Sequence, residues 1–267
     1  MQQVLSPLCP LIAFLTDFGL RDGYVGVLKG VVLSIVPQAQ LIDITHDIPP
    51  QDIAAGAWVL GTSYCYFPRG TIYICVIDPG VGSARQPIAV HAGNWFFVGP
   101  DNGLLSYVLA EQPIYEAVAL SNSTYHFPQV SATFHGRDVF APVAAHIAHG
   151  VTLGDLGTPL HPSSLKRLDL EYANRQDGQI TAQIVYIDHF GNLITDLRLP
   201  SRLLQSSHVR LGRQKIACHA ETYAQVKTGI PFLLVGSTGL LEIACRNESA
   251  AANLRTTTGQ PLRLYVD

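Results

Sequence analysis

The sequence predicts an α/β fold: an N-terminal α/β domain with a largely parallel sheet between helices, then a small all-β domain built as a barrel or sandwich. Three observations carry this expectation. Short apolar runs alternate with helix-spaced segments over the first part of the chain. The character changes after about Pro159, and from Gln179 onward β signals dominate. The 267 residues suit one to two domains at ~150 residues each. The expected limits are 1–160 for the α/β domain, 161–178 for a polar, Pro-containing linker, and 179–267 for the β domain.

Leu11–Leu15 reads as a buried strand that ends at Thr16-Asp17-Phe18-Gly19. Tyr24, Leu28, Val31, Val32 and Ile35 recur at helical spacing, and Pro37 stops that helix. Leu41–Ile44 is the second strand, and Ile53–Tyr66 the second helix, with Asp52 at its start. Thr71–Ile77 is rich in β-branched residues and runs into the turn-forming Asp78-Pro79-Gly80-Val81-Gly82. Ile88–His91 and Trp95–Val98 form a hairpin across Gly93-Asn94. Leu104–Ala110 and Phe140–His149 are further helices, with Asp138 as the expected N-cap of the second. The β domain is expected to hold strands at Ile180–Ile187, Val209–Cys218 around Gly212-Arg213, Phe232–Val235, Leu240–Cys245 and Leu262–Val266.

Composition narrows the function classes. Apolar residues make up 48% and charged residues 14%, so the chain is not disordered. The low charged share also favours subunit contacts. Lys+Arg is 17 against Asp+Glu 20, with no basic stripe, which argues against nucleic acid as partner. The five cysteines form no CxxC pair and fit a reduced, cytoplasmic protein. No apolar run reaches the ~18 residues of a membrane span, so no membrane partner is expected. The start, MQQVLSPLCPLIAF, lacks the features of a signal peptide.

Ligands of open α/β sheets sit at the carboxyl ends of strands. Two apolar strands here end in a carboxylate followed by glycines: one supplies Asp17, with Asp22 beyond it, and the other Asp78, with Arg85 seven residues later. Each Asp could equally shape a turn. His135 precedes Gly136, which leaves room for an approach to the imidazole; with Asp and Arg in reach it could hold a water. Asp43, His46 and Asp47 mimic a metal cluster, although a turn before the Asp52 helix is the stronger reading. His146 and His149 share a helix face without a third ligand, so no metal is expected. Gly80-Val81-Gly82 is only a fragment of a dinucleotide fingerprint. In the β domain, Asp188, Phe190 and Asn192 offer a carboxylate, a ring and an amide suited to a purine, or equally form a plain hairpin with Gly-Asn turn chemistry. Gly236-Ser237-Thr238-Gly239 is a tight turn whose N–H groups could take a carboxylate, although simply a turn is the stronger reading.

Taken together, these segments resemble the S-adenosyl-L-methionine hydroxide adenosyltransferases, the adenosine-forming S-adenosylmethionine hydrolases, relatives of the fluorinases and chlorinases. The matching stretches are Leu15–Gly19 with Asp22, Tyr24 and Lys29-Gly30; Ile42–Pro50; Val76–Arg85; Val98–Leu105; Phe134–Asp138; Ile187–Asn192; and Gly236–Ala244. The resemblance implies a β-barrel-like C-terminal domain and a homotrimer with active sites at subunit interfaces. It implies a small-molecule substrate, S-adenosyl-L-methionine, and no cofactor. Asp78, Arg85 and His135 match the groups that activate water. Asp17 matches the ribose carboxylate, and Asp22 and Asp188 the contacts to the methionine amine. Tyr24, Phe134 and Gly136 fall in substrate-binding stretches. Phe190, Asn192 and the stretch Cys245, Arg246, Asn247 match the adenine site, and Ser237 the residue near the methionine carboxylate. Gly136 stands where halogenating relatives carry a hydroxyl residue, and those relatives lack the Asp, Arg and His set. Thr238 replaces their arginine, and Glu248 stands where a glycine is common. The alternatives are a sensor that binds without turnover and halide-dependent substitution on the same substrate.

Overall fold

The computed structural model describes residues 9–170, 174–176 and 179–266. The chain divides into two compact units between Leu168 and Asp169. Of the expected linker, 171–173 and 177–178 lie outside the described residues, as do 1–8 and 267 of the two expected domains.

The first unit runs β1 (Leu11–Thr16), α1 (Tyr24–Ile35), β2 (Gln40–Thr45), α2 (Ile53–Ser63), β3 (Ile72–Val76), β4 (Pro87–Ala92), β5 (Trp95–Pro100), α3 (Ser106–Glu111), β6 (Ile114–Ala119), α4 (Ala141–Ala148) and β7 (Thr158–Pro159). One seven-stranded sheet holds them in the order β2-β1-β3-β5-β4-β6-β7. β2, β1, β3 and β5 are parallel, which places the carboxyl ends of β1 and β3 side by side. β4, β6 and β7 extend the sheet antiparallel. The expected α/β class is therefore the observed one.

Strand alternation sorts the core into two faces. Ile72, Ile74 and Val76 join Phe14, Leu28, Val32, Phe140 and Val143 on the face covered by α1 and α4. Tyr73 points the other way and stacks on Phe97 at 4.9 Å, beside Tyr64. Asp52 caps α2, its Oδ1 accepting from Ala55 N at 2.9 Å. That helix tightens into a single 3₁₀ turn at Tyr64–Tyr66 rather than running through regularly. Strand β6 is weakly signalled because only Ala117 and Val118 of its six residues are buried.

The start of α4 departs from expectation. A wide π turn, Gly136–Phe140, precedes it, and His135 rather than Asp138 stands at the cap position. Asp138 lies inside the turn, fully buried, and accepts from Ser131 N at 2.8 Å and from the Arg137 guanidinium. Burial pushes its carboxyl up, but these bonds outweigh it and leave it below the ordinary range.

The second unit is antiparallel. β8 (Asn174–Gln176), β9 (Gln179–Ile187), β10 (Leu193–Arg198), β11 (Ser207–Leu211), β12 (Gln214–Ile216), β13 (Pro231–Val235), β14 (Leu240–Cys245) and β15 (Pro261–Val266) follow in sequence, with short helices α5 (Ser201–Leu204) and α6 (Ala250–Leu254). The strand order is β12-β11-β15-β9-β10-β14-β13, with β8 also on β9. The chain beyond β12 turns back onto β13: Leu233 N donates to Cys218 O at 2.8 Å and Ala220 N to Leu233 O at 3.1 Å. Those bonds nearly close the sheet into a barrel around Ile184, Leu193, Val209, Leu241, Ile243 and Leu264.

Candidate active site

The N-terminal unit assembles three loops. The first follows β3. Asp78 leaves the strand with its side chain 6% exposed. Val81 N bonds Asp78 O at 3.1 Å and Ser83 N bonds Gly80 O at 3.0 Å, so two successive turns reverse the chain. Arg85 thereby returns to Asp78 and grips it bidentately: Nε donates to Oδ1 at 2.9 Å and Nη2 donates to Oδ2. A planar guanidinium fork suits a carboxylate in this way. Phe140 supports the fork from below, its ring centroid 5.3 Å from Arg85 Cζ.

The second loop carries His135. Arg85 Nη2 lies 2.8 Å from its Nδ1. Arginine has only donors, so Nδ1 accepts and the neutral ring carries its proton on Nε2. Burial, reinforced by the Arg85 charge, holds this imidazole below its ordinary value. Arg85 Nη1 is buried with no partner among the described residues. Gly82 joins the two loops. Its φ is +77°, and a Cβ there would meet Ala132 O at 2.5 Å, so only glycine lets the loops touch.

The third loop follows β1. Asp17 is half-buried and accepts from Gln51 N at 2.7 Å, whereas Asp22 is exposed. Tyr24 and Phe134 meet edge to face at 5.3 Å, and Phe18 completes the trio at 6.0 Å from each. Gly136 lies beneath them; a Cβ would press on Phe134 at 3.3 Å and on Leu28 and Phe18 at 3.5 Å. A hydroxyl-bearing residue would therefore crowd this aromatic cluster.

The other candidates belong to the C-terminal unit. A cavity of 720 Å³ is lined by Asp188, Phe190, Asn192, Cys245, Arg246 and Asn247. Asp188 is locked into its turn, accepting from Phe190 N at 2.9 Å, Asn192 N at 2.8 Å and Asn192 Nδ2 at 2.8 Å. Gly191 lets α6 approach: its φ is +82° and a Cβ would meet Ser249 Oγ at 2.1 Å. Phe190 is left 75% exposed. Arg246 Nη1 turns to backbone, donating to Ala224 O and Val226 O at 3.2 Å each. Ser237 stands on an exposed turn outside this lining.

Several participants are not assigned to the site from sequence, where Glu248 stands out only as a departure at a position where a glycine is common. Phe140 read as helix core. Tyr223 and Glu248 line the cavity, and Tyr223 donates to Glu242 Oε1 at 2.7 Å. Burial, with Asp188 nearby, pushes the Glu242 carboxyl up. The metal mimic dissolves: His46 hydrogen-bonds Thr16 and faces Asp43 at 3.0 Å, while Asp47 is exposed. Among the described residues no group of three His, Cys, Asp or Glu side chains is placed to hold a metal ion, and no helix is long and apolar enough to cross a membrane.

Comparison with known proteins finds relatives along nearly the whole chain. Residues 12–157 match the SAM hydroxide adenosyltransferase N-terminal domain, and residues 182–263 match the C-terminal domain. The chain is 41% identical over 258 residues to the (R)-S-adenosyl-L-methionine hydrolase of Salinispora arenicola, covering 96% of this chain and 97% of that one. It is 37% identical over 261 residues to the hydrolase of that name from Thermus thermophilus, covering 95% and 98%. A fluorinase from Actinopolyspora mzabensis is 27% identical over 291 residues, covering 96% and 97%. A crystal structure of a conserved Thermotoga maritima protein superposes with a TM-score of 0.87 at 33% identity, covering 95% and 99%. The chain belongs to the SAM hydroxide adenosyltransferase family.

Proposed function

We propose that this protein hydrolyses S-adenosyl-L-methionine to adenosine and L-methionine. The observation that carries the reading is the part-buried Asp78–Arg85–His135 triangle at the carboxyl edge of the parallel sheet. Hydrolase relatives spanning nearly the whole chain support it, and the (R) sulfonium epimer in their names is taken as the preferred substrate.

Water attacks ribose C5′ in line with the C–S bond. The C–O bond forms as the C–S bond breaks, and its electron pair goes to sulfur, leaving methionine as a neutral thioether. The leaving group needs no acid, so the demand falls on the nucleophile. His135 Nδ1 is committed to Arg85, so its Nε2–H donates to the water and aims it. Asp78 accepts the water's proton, and the free Nη1 of Arg85 stabilises the developing hydroxide. Positioned proton transfer contributes typically 10²–10⁴-fold. Holding oxygen and carbon at ~3–3.5 Å adds to this. Charge collapses along the path, so a dry site favours it.

In this reading Asp17 holds the ribose hydroxyls and Asp22 with Asp188 the methionine amine. Tyr24, Phe134 and Gly136 wall the sulfonium. Phe190, Asn192, Cys245, Arg246 and Asn247 hold adenine, and Ser237 holds the carboxylate. The two halves come from different protomers of a cytoplasmic homotrimer, and no cofactor or metal takes part.

The test is to supply S-adenosylmethionine in ¹⁸O-labelled water, with and without chloride, and to separate products by chromatography. Adenosine labelled at the 5′ oxygen, together with methionine, is expected. Ligand retention without product would make the protein a sensor. A halogenated nucleoside would make it a halide-dependent transferase.

A further inference from the structure

Behind the Asp17 turn, buried Thr16 and His46 run out to Asp43 and Lys29 at the surface in a relay that the reaction does not use. The His46 side chain is 1% exposed and sits just beyond β2. Its Nε2 is 3.0 Å from Asp43 Oδ1, and its Nδ1 is 2.7 Å from Thr16 Oγ1. Asp43 Oδ2 accepts from Lys29 Nζ at 2.6 Å. Burial pushes the Asp43 carboxyl up, but Lys29 and His46 outweigh it and keep it ionised below the ordinary value. His46 Nε2 faces this carboxylate as a charge contact without the alignment of a hydrogen bond, while Nδ1 shares a hydrogen bond with the Thr16 hydroxyl. The order hydroxyl, imidazole, carboxylate is that of a nucleophile triad. Thr16, however, is fully buried, so no substrate reaches it.

The relay instead bridges two parallel strands where their register slips. Phe14 pairs with Asp43 but Leu15 pairs with Thr45, so β2 carries one extra residue there. The chain leaving His46 then returns to the Asp17 turn twice. Gly19 N donates to His46 O at 2.8 Å, and Gln51 N donates to Asp17 Oδ2 at 2.7 Å. Thr16 Oγ1 also accepts from Phe18 N at 3.2 Å, so the relay reaches into the turn from below. Gln51 holds a φ of +67°, a conformation disfavoured for a residue with a side chain and kept only where the surroundings fix it.

We infer that His46 is a positioning residue for Asp17: clamped between Thr16 and Asp43, it wraps segment 46–51 around the turn and sets the direction in which the Asp17 carboxylate meets the ribose hydroxyls. The inference rests on the reading of Asp17 as the sugar contact. The experiment compares S-adenosylmethionine with an analogue lacking both ribose hydroxyls, for wild type, Asp17→Ala, His46→Ala, His46→Gln and Asp43→Ala.

His46→Ala is expected to lower kcat/KM on the parent substrate by ~10²-fold, the cost of a displacement near 1 Å, and to leave the slower wild-type rate on the analogue unchanged. Asp43→Ala, at a partly exposed edge that tolerates truncation, should show the same selective loss in smaller measure. His46→Gln, whose amide can still bridge Thr16 and Asp43, should restore most of it. Equal loss on both substrates in either alanine variant overturns the inference. A wild-type enzyme that treats the two substrates alike, or an Asp17→Ala variant that loses equally on both, overturns the Asp17 reading and the inference with it.

Discussion

In the N-terminal unit Asp78, Arg85 and His135 hold one another, whereas in the C-terminal unit Asp188 and Arg246 are held largely by backbone groups. Asp78, Arg85 and His135 are linked side chain to side chain, and their loops meet at Gly82. Asp188 and Arg246 instead spend their polar atoms mainly on backbone, with one bond to Asp188 from the Asn192 amide, leaving Phe190 and the cavity wall to face outward. The first arrangement is a preorganised electrostatic device, suited to a developing charge. The second is a shaped surface, suited to recognising a flat, largely neutral group. One half should therefore govern turnover and the other affinity.

Substitutions can break that division. The largest effect is expected at Asp78→Asn, which keeps the shape but removes the proton acceptor. Its kcat should fall by ~10²–10⁴-fold, read as adenosine release from the folded protein, and its melting midpoint should drop because Arg85 loses its ionic partner; a near-normal kcat would refute the division. Phe190→Ala should raise KM about tenfold, the size of one lost stacking contact, with kcat unchanged. A fall in kcat with KM constant would mean that the aromatic wall acts in the transition state.

The smallest effect sharpens the contrast through pH. Burial holds His91, His126 and His146, and burial with Arg85 holds His135, below the ordinary imidazole value. These rings contribute stability that is complete above pH ~6.5 and is lost as pH falls through their folded values. Glu242 in the other unit is shifted up by burial. Its contribution is complete below pH ~4.3 and is lost as pH rises through its folded value. The wild-type melting midpoint should therefore fall on acidification from about pH 7 to about pH 5. Glu242→Gln should be the more stable near neutrality and decline more steeply. A flat profile in both proteins would contradict these signs.

The sequence was informative where one local rule governs. Leu11–Leu15, the helical spacing from Tyr24 to Ile35 and the Asp52 cap all became elements close to the expected limits. Asp78 and Arg85 are grouped through the family resemblance; the two turns that bring them together appear only in the structure. What stayed hidden depends on distant partners. Asp138 resembled a cap, but Ser131 and Arg137 draw it inside a π turn. His46 resembled a metal ligand because Thr16, thirty residues earlier, has no local signature. Tyr223 could not be connected to Glu242 before the barrel's pairing was known.

The backbone contact at Gly82 has a consequence for anyone hoping to redesign the nucleophile. Loops that abut at a residue with no side chain cannot be spread by mutation there, because even a methyl group would collide with the carbonyl of Ala132. Libraries meant to admit bulkier attacking groups should leave that junction untouched and carve space from the ring of Phe140 instead. The niche can be reshaped from its floor, not from its seam.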